Sequence, residues 1–256
     1  MFSKLASPAI IAHRGASAYA PENTLASFEL ALRQEADAIE LDAKLTADGH
    51  IVVIHDQTVD RTTEGTGAVR EMTLSELRKL DAGSHFDIAF QGEPIPTLEE
   101  VLKAVGQLTY VNIELTNYQS KHDDLPEKTA ELVYRLHLNR RVFFSSFSPI
   151  ALWKIRRLMP EAPAGLLAMQ GKRGSWARGW LGRLLRYQSL HPDFHDTSPA
   201  LVAAAHRRGH RAFVYTVNDK EEMRRLFSLH VDGIFTDDPL LARQEREAFI
   251  QRMHIG

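Results

Sequence analysis

Ala38-Ile39-Glu40-Leu41-Asp42-Ala43 is an apolar run that carries two carboxylates spaced two residues apart. Side chains alternate across a strand, so Glu40 and Asp42 share one face and Leu41 takes the other. Seven more short apolar runs, at 9–12, 110–115, 142–145, 164–169, 190–194, 212–217 and 233–236, read as strands of the same kind. Helical patterns separate them. Thr73-Leu74-Ser75-Glu76 and Thr97-Leu98-Glu99-Glu100 are capping boxes, and Ser148-Pro149 and Ser198-Pro199 put proline at the first helical position. Leu98, Val101, Leu102 and Val105 keep the spacing of one buried helical stripe. Asp219 before Met223, Leu226 and Phe227 repeats that grammar, and Asn23 or Thr24 caps a helix bearing Leu25, Phe28 and Leu32.

Eight strand-then-helix units predict an α/β chain folded as a parallel (β/α)8 TIM barrel, with its site at the C-terminal ends of the strands. At 256 residues the chain has the usual length of one such barrel. We therefore expect a single domain over 1–256, interrupted once. Residues 46–96 hold an extra strand at 51–54, a glycine-rich turn at 64–67, and a short helix near 73–80. That stretch is too long for an ordinary connection after the second barrel strand and reads as a small insertion over the barrel mouth.

Composition narrows the function. The content is 44% hydrophobic and 25% charged, as in a globular protein with an ample core. A net charge of -2 argues against a general nucleic-acid binder. With no cysteine, disulfide and thiolate chemistry are excluded. The run at 8–12 is too short for a signal-peptide core, and no apolar run approaches a membrane span. The cytoplasm is the expected location.

The polar residues at the strand ends suggest chemistry. Tyr110, Asn112 and Glu114 share a strand face, which brings Glu114 to the mouth beside Glu40 and Asp42. A lone acid there would be a solvated or ion-paired group. Three, flanked by apolar residues, read as the oxygen ligands of a hard divalent cation, Mg²⁺ or Ca²⁺. His13 and His55 each end an apolar strand, which distinguishes them among 12 histidines, and read as an acid–base pair. Arg14 is either a phosphate clamp or a structural ion pair with Glu22. Asp56 reads as an orienting group for His55 or for a loop of the insertion, and Asp237-Asp238-Pro239 as a helix start. Together these are the parts for metal-assisted cleavage of a phosphate ester.

The same residues carry a resemblance. His13-Arg14-Gly15, Pro21-Glu22-Asn23-Thr24, Glu40-Leu41-Asp42, and His55-Asp56 followed by Arg61-Thr62-Thr63 resemble the glycerophosphodiester phosphodiesterase family. The likeness continues in order through 92–98, Asn112-Ile113-Glu114, Ser145-Ser146-Phe147, Tyr215-Thr216-Val217-Asn218 and 233–239. It implies a barrel with an insertion at this place, and hydrolysis of a small-molecule glycerophosphodiester to glycerol 3-phosphate and an alcohol. One departure stands out. The family pattern Glu-x-Lys, whose lysine reaches the phosphate, is here Glu114-Leu115-Thr116. Lys44, on the face of Asp42, is the candidate replacement for substrate binding.

Two other readings compete. Residues 173–186 hold two tryptophans among arginines, which suits either a membrane-surface helix or the fifth barrel helix packed inward; the glycines within it weaken any helix. Membrane contact there would favour a lysophospholipase D-type activity on lipid headgroups. Without the family lysine, a ligand-binding or regulatory barrel with weakened catalysis is the other reading.

Overall fold

The computed structural model describes residues 2–116 and 123–255. Eight parallel strands form a closed barrel: β1 (Ala9–Ala12), β2 (Ala38–Leu45), β4 (Tyr110–Leu115), β5 (Val142–Ser146), β6 (Ala164–Ala168), β7 (Ser189–Pro192), β8 (Arg211–Val214) and β9 (Gly233–Thr236). The ring closes through β1, which pairs in parallel with both β2 and β9. The remaining strand, β3 (Ile51–Val53), pairs antiparallel with the end of β2.

The strands alternate as their sequence demands. Ile39, Leu41 and Ala43 of β2, with Val111, Ile113 and Leu115 of β4, face outward. They pack against the stripe Leu98, Val101, Leu102 and Val105 of α3 (Leu98–Val105). The other face of each strand enters the barrel. Its floor is aromatic: Phe143 and Phe213 are buried there, and Phe2, from a short N-terminal turn of 3-10 helix, packs edge-on against both at 5.4 and 5.2 Å. The filled floor confines access to the opposite end, where the strand C-termini lie.

The helix starts follow the caps legible in the sequence. Thr73 and Thr97 form complete capping boxes, and Ser148, Ser198 and Asp219 each accept a hydrogen bond from the first turn of their helices. Thr24 rather than Asn23 caps α1 (Leu25–Arg33).

Between β2 and α3 the chain carries β3, the single-turn helix α2 (Leu74–Leu77) and two short 3-10 turns. Val52, Ile54, Val59, Val69, Leu77, Ala82 and Ile95 form a small apolar cluster of their own, so this region has its own packing.

The stretch 173–186 departs from both readings of it as one helix. It breaks into α6 (Ser175–Arg178) and a 3-10 turn at Gly182–Leu184. A side chain at Gly182 would lie 2.1 Å from the carbonyl oxygen of Ala177, so the chain turns there through a contact only glycine permits. Trp176 packs partly inward, while Trp180 and Leu184 stay exposed. Among the described residues no helix is long and apolar enough to cross a membrane.

Candidate active site at the barrel mouth

β2 and β4 run side by side with Glu40 opposite Asn112 and Asp42 opposite Glu114. This register puts three carboxylates on the inner face of two adjacent strands. One ligand oxygen from each of Glu40, Asp42 and Glu114 lies within 4.8 Å of the other two. Glu40 and Asp42 are buried almost completely. Burial, reinforced by the charges of Asp42 and Glu114, holds the Glu40 carboxyl well above the usual carboxylate range. Asp42 is also penalised by burial, but the Arg14 guanidinium and other partners outweigh that and hold it below its ordinary value. A crowded, all-oxygen donor set of this kind fits a hard cation.

The loop after β1 is shaped around these acids. Arg14 adopts a positive φ of 56°, which turns its backbone N–H toward Glu40 Oε2 at 2.9 Å. Gly15 follows at φ 86°; a Cβ there would sit 2.4 Å from Ser27 Oγ, so only glycine lets the loop lie against α1. Arg14 Nη1 donates to Glu22 at 2.9 Å and its Nε lies 3.4 Å from Asp42. Asn23, also at positive φ, donates from Nδ2 to Asp42 Oδ2 at 2.9 Å. The alternatives for Arg14 thus merge: it is ion-paired with Glu22 and also lines the cavity.

His13 and His55 stand at the ends of β1 and β3 and line one cavity of about 180 Å³. Each is gripped through Nδ1 by an aspartate. His13 Nδ1 is 2.6 Å from Asp237, and His55 Nδ1 is 2.7 Å from Asp56. Donation from Nδ1 to carboxylate fixes the tautomer and leaves Nε2 for proton exchange. Asp237 is itself held by Asn218 Nδ2 at 2.5 Å and by Ser17 Oγ at 3.1 Å. Asp56 is pushed up by burial, but hydrogen bonds from Arg61 and His55 prevail and bring it to about 2. Arg61 also donates twice to Glu22, at 2.7 Å each. A continuous ionic chain therefore ties the segment between β2 and α3, through Arg61, to Glu22, Arg14 and the acids.

The far wall of the cavity is apolar: Phe147, Leu167, Tyr215 and Phe235 line it. Phe147 and Tyr215 meet edge to face at 6.1 Å, and Tyr215 anchors its hydroxyl on the Ala168 carbonyl at 2.9 Å. The cavity is thus lined by acids and histidines on one side and by aromatic and aliphatic groups on the other.

Of the seven residues singled out in the sequence, His13, Arg14, Glu40, His55 and Glu114 line this cavity directly. Asp42 is buried beside Glu40 and Glu114 and does not line it. Lys44, two residues further along β2 than Asp42, is 1% exposed and does not line the cavity, with Nζ 2.7 Å from Thr116 Oγ1. Burial lowers its pKa, opposed by the charges of Asp42, Glu114 and Asp56. Sequence reasoning assigned no site role to Asp237 and Asn218, whose partner is 224 residues away in the first case. The only local signal was an aspartate just past the last strand.

Residues 13–241 match the family model described as the glycerophosphoryl diester phosphodiesterase family. The chain is 42% identical over 231 residues to the glycerophosphodiester phosphodiesterase of Caldanaerobacter subterraneus subsp. tengcongensis, spanning 90% of this chain and 94% of the relative. The solved glycerophosphodiester phosphodiesterase of Agrobacterium tumefaciens superposes with a TM-score of 0.79 at 36% identity, covering 91% of this chain and 98% of that one. An Oleispira antarctica phosphodiesterase, solved with its product sn-glycerol-3-phosphate, superposes with a TM-score of 0.84 at 30% identity, covering 94% and 97%.

Proposed function

Because the chain belongs to the glycerophosphoryl diester phosphodiesterase family, we propose that it hydrolyses glycerophosphodiesters to glycerol 3-phosphate and an alcohol, using a divalent cation. The observation that carries this reading is a cluster of three carboxylates, two of them lining one cavity together with two aspartate-held histidines.

Glu40, Asp42 and Glu114 would hold the cation, Mg²⁺ or Ca²⁺. When bound it supplies positive charge and Lewis acidity, without which three carboxylates would repel a phosphodiester anion. The remaining work falls to the chain itself. Arg14 offers a guanidinium at the cavity wall to non-bridging phosphate oxygens. Of the two histidines, one accepts the proton of the attacking hydroxyl at Nε2 and the other protonates the departing alkoxide oxygen. The attacking group is either water or a neighbouring glycerol hydroxyl, the latter passing through a cyclic phosphate that water then opens. Asp237 and Asp56 keep each ring oriented through this transfer.

Lys44 serves as the phosphate-side cation from the neighbouring strand, its ammonium held by Thr116, where the family lysine would stand. A pure binding protein would need no aspartate-held histidine pair, so catalysis is the reading we favour. The proposal includes a cytoplasmic location, since a cysteine-free chain needs no oxidising compartment. The test is product identification: ³¹P NMR of glycerophosphocholine incubated with the protein and Mg²⁺ should show glycerol 3-phosphate growing as the diester disappears. Phosphocholine as product would instead place the cut on the other ester bond.

A further inference from the structure

A second cavity, of about 500 Å³, lies on the flank of the barrel between α5 (Pro149–Leu158) and the segment 184–187 leading into β7. A barrel helix runs back from the mouth toward the start of the next strand. The C-terminal turn of α5 and the entry to β7 therefore both sit at the end of the barrel remote from His13 and His55. Nothing in the phosphodiesterase chemistry uses this groove.

Its lining is basic and amphipathic. Leu152 and Tyr187 form a buried floor, while Trp153 and Leu184 on the walls are 57% and 71% exposed. Arg156, Arg157 and Arg186 line it as well. Arg157 lies over the Trp153 ring at 4.8 Å. Among the described residues none of these three arginines forms an ion pair with a carboxylate, although they stand together at one groove. Burial, and then the charge of Arg186, lowers the Arg156 pKa. On α5, Ile150, Trp153 and Arg157 fall at i, i+3 and i+7, which is one exposed helix face with two apolar side chains and a cation. A chain of net charge -2 has thus gathered unpaired positive charge beside exposed aromatic and aliphatic groups.

We propose that this face docks the protein onto the surface of an anionic phospholipid bilayer. Tryptophan and leucine suit the interfacial layer, and arginine stems pass along apolar surface while their heads reach lipid phosphates. Charge complementarity selects this occupant. A second copy of the chain, paired about a two-fold axis, would set these arginines against their own counterparts. A small soluble anion would use the arginines but leave Trp153, Ile150 and Leu184 in water. The surface differs from the membrane helix anticipated for 173–186: it is centred on α5 and takes only Leu184, Leu185 and Arg186 from that stretch. Docked this way, the barrel mouth stays open to solution.

The test is co-sedimentation of the full chain with phosphatidylcholine vesicles, with and without phosphatidylglycerol, at low and high salt. We expect binding to the anionic vesicles that weakens as salt rises. An arginine at an anionic surface contributes about fivefold to partitioning, so the double variant Arg156→Glu/Arg186→Glu should bind at least about tenfold more weakly. Trp153→Ala should lower the binding that remains at high salt. Both variants should keep wild-type thermal unfolding and wild-type turnover of soluble substrate. Equal binding to neutral and anionic vesicles, no binding, or double-variant binding equal to wild type would overturn the proposal. So would displacement from vesicles by millimolar inorganic phosphate at constant ionic strength, or a dimer that these substitutions disperse.

Discussion

Lys44 Nζ lies 2.7 Å from Thr116 Oγ1, so a lysine on β2 reaches the end of β4 where residues 72 positions apart in sequence meet. The Glu-x-Lys pattern that the sequence resembles would put the cation on the β4 side. Here the ammonium arrives from the neighbouring strand and the threonine accepts its hydrogen bond. A charge-assisted contact is worth roughly 1.5–3 kcal/mol. Lys44→Met should therefore lower kcat/KM by about 10- to 150-fold. Thr116→Lys alone should gain nothing, because two ammonium groups would compete for one space. In the Lys44→Met background the same Thr116→Lys change should restore activity. A double variant no better than Lys44→Met would show that the two lysine positions are not equivalent.

Removing either imidazole removes a proton carrier. His13→Ala and His55→Ala should each lower kcat by about 10²–10⁴-fold. Both side chains sit on the cavity and outside the packed core, so thermal unfolding should move little. Steady-state kinetics beside a melting curve separates the two effects, and near-full activity in either variant would remove that histidine from the mechanism.

Asp237 should act through His13 and not on substrate. Asp237→Asn keeps the shape but loses the charge that holds Nδ1–H. We expect kcat to fall at least about tenfold, by less than in His13→Ala, with KM unmoved. Asp237→Glu should recover part of the loss. A change confined to KM would mean that Asp237 contacts substrate instead.

The buried acids predict a pH-dependent metal effect. In the metal-free protein the Glu40 carboxyl is raised well above 4.5 by burial and by Asp42 and Glu114. A raised folded-state pKa means the folded protein holds this proton more tightly than the unfolded chain does. Its stabilising contribution is complete below about 4.5 and is lost as pH rises through the folded value. Metal binding must displace that proton, so Mg²⁺ or Ca²⁺ should raise Tm more at pH 8 than at pH 5. Calorimetry with and without EDTA at both pH values measures this; an equal shift at both would mean no proton is released.

How far the sequence reaches depends on how local each signal is. The face shared by Glu40 and Asp42, and the capping threonines at 73 and 97, follow from alternation and from hydrogen bonds closing within four residues. The closure of the barrel and its active end follow from the repeat of those units. Thr24 and Asn23 could not be told apart as caps by sequence, because the choice depends on Asp42 being close enough to claim the Asn23 amide. Asp238 serves as the helix start that was anticipated, accepting from Leu241 N at 2.9 Å, yet its neighbour Asp237 turns to His13. Strand periodicity cannot reveal that pairing, since it joins the first strand to the last. The breaks in 173–186 were foreshadowed by its glycines, but which side chains stay exposed is set by packing against β6 and β7.

On the proposed reading, three carboxylates and two histidines make this barrel a divalent-metal phosphodiesterase. Coupled measurement of glycerol 3-phosphate release from a panel of glycerophosphodiesters, before and after EDTA, tests it most directly. We predict turnover that EDTA abolishes and that added Mg²⁺ or Ca²⁺ restores, with Glu114→Gln failing to recover at the same metal concentration. Turnover untouched by EDTA, or binding of these diesters with no product at any metal concentration, would contradict it.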